Sequence, residues 1–339
     1  MTAPLTPPVP PAAQEPRAGQ TLGLGLDVGG TEARWALADA RGQLLGEGVA
    51  AGFSGTQAHD EAGRAQVLAA LGEVARAVAG ARGTPGGPGA AGLAAAAHLA
   101  GLPALRVWAG VTGHDAQAGP ALAQCFVQAL GCAPGQLELD SDIAMLARVA
   151  FAPGQGVVVV AGTGSVAVHC DAQGRLHRVG GRGGLLGDEG SGYAIAREAL
   201  AAVWRHEDDE PGFIARSALA QELLDAIGGR DWAHTRRFVY GGATARGDLG
   251  RLAVAVARAA ERDPLALGLL ERAGAELARL ATLLVQRHGV RQVRVCGRVP
   301  QLHPAIAHAL RAHLPPGVAC TVAQIAVHRE AALQAARPV

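Results

Sequence analysis

Apolar and small residues alternate through Thr21–Val28, TLGLGLDV, and the run stops at the pair Gly29-Gly30. A period of two predicts a strand, and the glycines predict a turn behind it. The next stretch, ARWALADARGQLLGEGVA, keeps the alternation on both sides of ADARGQ, so the chain is expected to open with a β-hairpin or meander. From about Ala58 to Ala81 the period changes: Val67, Leu68, Leu71, Val74 and Val78 recur at helical spacing, which predicts an amphipathic helix. The Pro/Gly-rich loop ARGTPGGPGA follows, then a short helix and the strand LRVWAGV. A helix over about 118–130, the short strand QLELD and a helix from Ile143 to Ala150 complete this part.

A second series starts at Val157. VVVVAGTGSVAV reads as two strands joined by a glycine turn, and GGRGGLLGDEGSG leads into a helix from about Ser191 to Arg205. Roughly Ile214 to His288 is helical by pattern apart from the polar interruption YGGATARGD, and the strand VRVCG with a short αβ unit ends the chain. Each series opens with a strand, a glycine turn and a hairpin, which argues for an α/β protein of two similar halves built on a duplicated βββαβα-type unit.

Length and composition narrow the possibilities. With 339 residues the chain is long enough for two domains. A formal net charge of +1, with acids and bases interspersed, and only 3% aromatic residues give no footprint for nucleic acid or an anionic membrane; small molecules are the expected partners. The five cysteines (Cys125, Cys132, Cys170, Cys296 and Cys320) form no C-x-x-C pair, so neither a zinc site nor a disulfide framework is written here, and a reducing cytoplasm fits best. Residues 1–20, rich in Pro and Ala without an apolar stretch, read as a disordered tail and not as a signal peptide. The longest apolar stretch, Ala90–Val111, is broken by His98, Pro103 and Arg106, so no transmembrane span is expected.

Several groups could carry chemistry. Asp27-Val28-Gly29-Gly30-Thr31 closes a buried strand: a carboxylate there can hold a Mg²⁺ shell while glycine N–H groups approach phosphate, although an ordinary hairpin bend looks the same in isolation. Gly162-Thr163-Gly164-Ser165 offers free N–H groups and two hydroxyls, the chemistry of a phosphate cradle or of a tight turn. Two such loops, each at a strand end, could grip a triphosphate from both sides. Asp115 lies just past a strand end and is a candidate general base. Asp142 is either a metal-side carboxylate or part of a helix N-cap with Ser141, and Asp140 competes with it. Asp188 and Glu189 either complement a helix dipole or recognise paired sugar hydroxyls. The histidines show no ligand spacing and most are taken as surface or cap residues.

These segments resemble the BadF/BadG/BcrA/BcrD ATPase family, in its N-acetylglucosamine kinase-like branch within the sugar kinase, Hsp70 and actin superfamily. The similarity runs from about Gly23 to Arg329 and rests on GLDVGGTEAR, AGTGS and GGRGGLLGDEGSGYAIAREAL, with weaker support from VTGHD, SDIAMLA and VRVCGRV. It implies an actin-like ATPase fold of two ribonuclease H-like domains with a nucleotide and sugar cleft between them. The domains would span 21–116 and 117–325, with a terminal helix at about 326–337 packing back on the first. ATP and Mg²⁺ would be the cofactors. Asp27 and Asp142 would serve the metal; Gly29, Gly30, Thr31, Gly162, Thr163, Gly164 and Ser165 the phosphates; Gly297 the adenosine. Asp115 would be the catalytic aspartate, and Ser54, Gly55, Thr112, Gly113, Gly181, Asp188 and Gly192 would lie along the sugar.

The implied activity is ATP-dependent phosphorylation of a hexosamine, N-acetylglucosamine or glucosamine, at the 6-hydroxyl, by a homodimer. Arg182, Ala194 and Arg298 depart from the family pattern, and Ser54-Gly55 stands where an asparagine often meets the sugar's 2-substituent. The alternatives are an ATPase activator of a dehydratase, which needs closely placed cysteines for an iron–sulfur cluster, and a non-catalytic sugar-sensing protein of the same fold.

Overall fold

The computed structural model describes residues 21–81, 105–241 and 246–337. The segment 1–20, the loop after Ala81, the helix expected from about Ala90 and the centre of YGGATARGD lie outside the described residues. The chain divides into two compact units, 1–145 with 326–339, and 146–325.

In the first unit β1 (Leu22–Val28), β2 (Glu32–Asp39) and β3 (Leu44–Ala51) form an antiparallel meander, and β4 (Leu105–Val111) and β5 (Leu137–Ser141) extend the sheet in parallel on the other side of β1. The order is β3-β2-β1-β4-β5. Leu22, Leu24, Leu26 and Val28 are buried with Val67, Leu71, Val74 and Val78 of the helix Glu61–Ala81 and with Leu122, Phe126 and Leu130 of the helix Gly119–Leu130. Each such side chain contributes about 1.5–3 kcal/mol by leaving water. The opposite face of β1 carries Gly23, Gly25 and Asp27. A Cβ on Gly23 would overlap the carbonyl of Ala332, and one on Gly25 that of His328, because the helix Val327–Ala335 lies directly on the strand. Leucines thus fill the core, glycines admit a helix backbone, and Asp27 is the next residue on the glycine face.

The first unit reaches further along the chain than the boundary at residue 116 expected from sequence. β5 pairs with β4 from Val107 opposite Leu137 to Val111 opposite Ser141, and the helix between them shares the first core, so the division falls after Met145. A strand of five residues is stable only where its ladder is paired, and its partner is β4.

The second unit repeats the plan. β6 (Val157–Ala161), β7 (Ser165–Cys170) and β8 (Leu176–Gly180) are antiparallel, β9 (Gln292–Cys296) is parallel to β6, and β10 (Ala319–Val322) is parallel to β9. The order β10-β9-β6-β7-β8 matches that of the first sheet read from the other edge, with five strands in each. Both units are ribonuclease H-like, and the architecture is α/β. The long helix Pro264–His288 in this core starts at Asp263, whose side chain accepts from Leu265 N–H at 3.0 Å, and stops at Gly289 in the left-handed conformation (φ 67°). No helix among the described residues is long and apolar enough to cross a membrane.

Candidate active site

In the first unit the carboxyl ends of β1, β4 and β5 gather acidic side chains. Asp27 ends β1 in register with Arg34 on one neighbour and Gly110 on the other. Glycine at 110 matters, because a Cβ there would press on Met145 and on the backbone of Asp142, where the helix Asp142–Ala150 begins. The helix start is thereby admitted beside Asp27. Burial, then the nearby charge of Asp142, pushes the Asp27 carboxyl up to about 6, against a smaller opposing pull from Arg34. Both readings of the helix start hold a share: Ser141 Oγ accepts from Ala144 N–H at 3.1 Å, and Asp142 Oδ1 accepts from Ile143 N–H at 2.8 Å. Asp140 instead accepts from the Trp108 indole at 3.1 Å. Two carboxylates that disfavour each other's charge have the chemistry a divalent cation can use. No group of three or more potential metal ligands occurs among the described residues.

Beside them Gly29 N–H donates to Glu32 at 2.9 Å to close the β1–β2 turn, and Gly30 and Thr31 are exposed at its tip. The loops at 54–57 and 112–115 are stitched together: Gly55 N–H donates to the Thr112 carbonyl at 2.8 Å, and Thr112 N–H to Val28 at 2.9 Å. Ser54 Oγ lies 2.9 Å from the Thr56 hydroxyl, and Gly113, at φ 70°, has no room for a side chain because Ser54 Oγ occupies it. Ser54, Gly55, Thr112 and Gly113 therefore form one patch. Asp115 is exposed. Its Oδ1 accepts from Gln117 and Ala118 N–H at 2.9 and 2.7 Å, and its Oδ2 faces His59 Nε2 at 3.4 Å. Chiefly through the Ala118 N–H, with help from His59, its carboxyl is held below the usual range. His59 had no signal in spacing; only the fold brings it to Asp115.

In the second unit Gly162 N–H donates to Gly164 at 2.9 Å, closing the loop, while the carbonyls of Gly162 and Thr163 accept from Gly192 and Tyr193 at 2.9 and 3.2 Å. Ser165 is turned inward: its Oγ donates to the Glu189 carbonyl at 2.6 Å, and its N–H to Asp188 Oδ1 at 3.4 Å. Its hydroxyl braces the two glycine-rich loops against each other.

Beside the first loop lies an open hollow lined by Gly162, Thr163, Gly192 and Gly250, by Arg251 and Arg298, and by the apolar Val254, Val299 and Leu302. Its mix of apolar wall and guanidinium groups suits a small organic anion. Gly192 lines this hollow. Gly297, at φ 101°, lets the end of β9 press on Ala161, whose carbonyl a Cβ would overlap.

The loop from Gly181 to Gly190 is equally constrained. Gly181 has φ 64° against Val166, and Asp188 is the sole non-glycine residue at positive φ (65°) among the described residues. Asp188 is buried and its carboxylate pairs with Arg246, 58 residues away. Glu189 Oε1 faces Arg279 at 3.4 Å, and Glu189 Oε2 is buried with no hydrogen-bond partner. Leu185 and Leu186 are exposed at the loop tip.

The sequence profile of one family matches residues 24–300, most of the chain, and covers every strand up to β9. The chain belongs to the BadF/BadG/BcrA/BcrD ATPase family. Among relatives, an N-acetylmuramic acid/N-acetylglucosamine kinase of Clostridium acetobutylicum is 30% identical over 122 residues, 35% of this chain and 37% of that protein. An N-acetyl-D-glucosamine kinase of Dictyostelium discoideum is 38% identical over 72 residues, 21% of this chain and 22% of that protein. The alignments thus span well under half the length of either relative. A solved structure from Chromobacterium violaceum, itself only provisionally assigned as an N-acetylglucosamine kinase, is 27% identical, covers 94% of this chain and 99% of its own, and superposes with a TM-score of 0.66. The family match and this superposition establish the actin-like ATPase fold.

Proposed function

We propose that this family member is an ATP-dependent hexosamine kinase that phosphorylates N-acetylglucosamine or glucosamine at the 6-hydroxyl. The observation that carries the reading is the pairing of two strand-end constellations on the same topology. One holds Asp27, Asp142 and Asp115; the other holds the Gly162–Gly164 turn beside an open hollow with an apolar wall and two arginines.

In this reading the adenosine occupies the hollow and the phosphates settle on Gly162, Thr163 and Gly164, with Gly29, Gly30 and Thr31 serving the polyphosphate from the first unit. Mg²⁺, when bound at Asp27 and Asp142, supplies charge neutralisation on the phosphates. Asp115 Oδ2 accepts a hydrogen bond from the sugar hydroxyl and orients its oxygen at the γ-phosphorus. The new O–P bond forms as the bond to the β–γ bridging oxygen breaks, the electron pair leaves with ADP, and the hydroxyl proton passes to Asp115. A carboxylate held at low pKa aligns the hydroxyl first and takes the proton only as the O–P bond makes it acidic. Ser54, Gly55, Thr112 and Gly113 form the surface proposed for the sugar, and the protein acts as a homodimer.

The dehydratase-activator alternative draws no support from the cysteines. Such an activator needs closely placed cysteines near the second glycine loop, and the nearest here is Cys170, buried at the end of β7. The test is ADP release measured across glucosamine, N-acetylglucosamine, N-acetylmannosamine, glucose and anhydro-sugars. Stimulation by a hexosamine is expected; release unaffected by every sugar would favour the sensor alternative.

A further inference from the structure

Arg246 is used by none of the roles above, yet two observations fix its place. Its guanidinium pairs with the buried Asp188 carboxylate, and it fills the space where a side chain on Gly164 would stand. Its positive charge is therefore set against the middle of the second glycine loop. The Asp188 side chain is 2% exposed and takes Ser165 N–H on its other oxygen, so the carboxylate is enclosed by the loop on one side and by Arg246 on the other. Arg246 itself is 46% exposed. A guanidinium carries five N–H donors in a rigid fork, and one carboxylate oxygen leaves most of them unused. The next residue, Gly247, lines the hollow together with Gly162 and Thr163.

Neutralising Asp188 would account for a cation at this position, since an enclosed carboxylate without one is costly. It does not account for a half-open guanidinium lying across a glycine that the loop keeps bare. A loop that presents N–H groups to an anion and carries a fixed guanidinium alongside has the donor set that phosphate oxygens select.

We propose that Arg246 is a phosphate-binding residue: its guanidinium, held in place by Asp188, takes an oxygen of the nucleotide's polyphosphate as that chain settles on Gly162–Gly164. The proposal rests on the reading of this loop as a nucleotide phosphate site. Asp188 is then the positioning residue, aiming the guanidinium across the loop, and Arg246 is the group that touches the nucleotide.

The test is calorimetric binding of ADP and of adenosine to the full chain, in the wild type and in Arg246→Met, Arg246→Lys and Asp188→Asn. Arg246→Met is expected to weaken ADP by about tenfold or more while adenosine changes by less than about twofold, because a charge-assisted bond to phosphate is lost and the nucleoside contacts are kept. Arg246→Lys is expected to recover part of the loss. Asp188→Asn is expected to lose part of the ADP affinity, because the guanidinium remains but no longer has the carboxylate that positions it. The double variant Asp188→Asn/Arg246→Met carries no enclosed lone carboxylate and gives the same reading if the single methionine variant fails to fold. Equal weakening of ADP and adenosine in Arg246→Met would overturn the proposal by assigning Arg246 to Asp188 alone. A wild-type protein that binds neither ADP nor adenosine would instead overturn the nucleotide reading beneath it.

Discussion

Ser165 Oγ donates to the backbone carbonyl of Glu189 at 2.6 Å, joining the loop that follows β6 to the loop that precedes the helix Gly192–Asp209. Two segments that sequence assigned to different jobs, nucleotide phosphates and sugar, are thereby a single braced structure. Removing the hydroxyl leaves a part-buried carbonyl unsatisfied, so Ser165→Ala is expected to lower stability by about 1–3 kcal/mol. Thermal unfolding checks this, and an unchanged midpoint would mean that the brace contributes nothing.

Gly25 carries the packing of the terminal helix. Because a Cβ there would overlap the His328 carbonyl, Gly25→Ala is expected to push the helix Val327–Ala335 off β1 at a cost of about 1–3 kcal/mol, typical of overpacking. Hydrogen exchange should show faster exchange concentrated in residues 327–335. Unaltered protection of that helix would refute the close-approach account of the glycines.

The leucine and glycine alternation of β1, the hairpins and the long helices were legible because each has a local period. The extent of the first unit was not, since LELDS carries no mark of which sheet it will join; the pairing of β5 with β4 decides it. The partners of Asp140 and Asp142 were equally closed to spacing: the fold sets Asp140 against the Trp108 indole and Asp142 against the Ile143 N–H at the helix start. Ser165 looked like a phosphate hydroxyl because a turn's sequence does not say which way its side chains face. The Asp188–Arg246 pair joins residues separated by an entire helical region, and no period or motif links them.

Asp27 makes the stability of the metal-free protein depend on pH in a defined direction. Its folded pKa, about 6, lies above its ordinary 3.8, so its contribution favours the fold below that ordinary value and is lost as pH rises through about 6. Asp27→Asn is therefore expected to stabilise the metal-free protein at pH 7.5, by up to on the order of 3 kcal/mol, and to change little at pH 4. Mg²⁺ should stabilise the wild type at pH 7.5 and not the variant. Denaturant unfolding at both pH values, with and without Mg²⁺, checks both signs; a variant less stable than the wild type at pH 7.5 would contradict the burial argument.

His288 gives an opposite and separable dependence. The His288 ring lies 4.3 Å from that of His169 and 4.4 Å from that of His177, at the junction of β7, β8 and the end of the helix Pro264–His288. Burial, then His169, His177 and Arg287, lower the His288 pKa below 6.5, with Asp171 opposing. A lowered folded pKa means that stability present above about 6.5 is lost as pH falls through the folded value. His288→Phe is expected to flatten the acid limb of the stability profile between about pH 6.5 and pH 5 relative to wild type. Parallel profiles for the two proteins would contradict the burial argument for His288.

The central claim is phosphoryl transfer from ATP to a hexosamine with Asp115 aligning the acceptor. Its most direct test follows the reaction with N-acetylglucosamine or glucosamine by phosphorus NMR alongside ADP release, for the wild type and Asp115→Asn. The account predicts one hexosamine 6-phosphate per ADP in the wild type and a turnover about 10²–10⁴-fold lower in the variant, with ADP affinity preserved. ADP formed with no sugar phosphate, or an undiminished rate in Asp115→Asn, would contradict it.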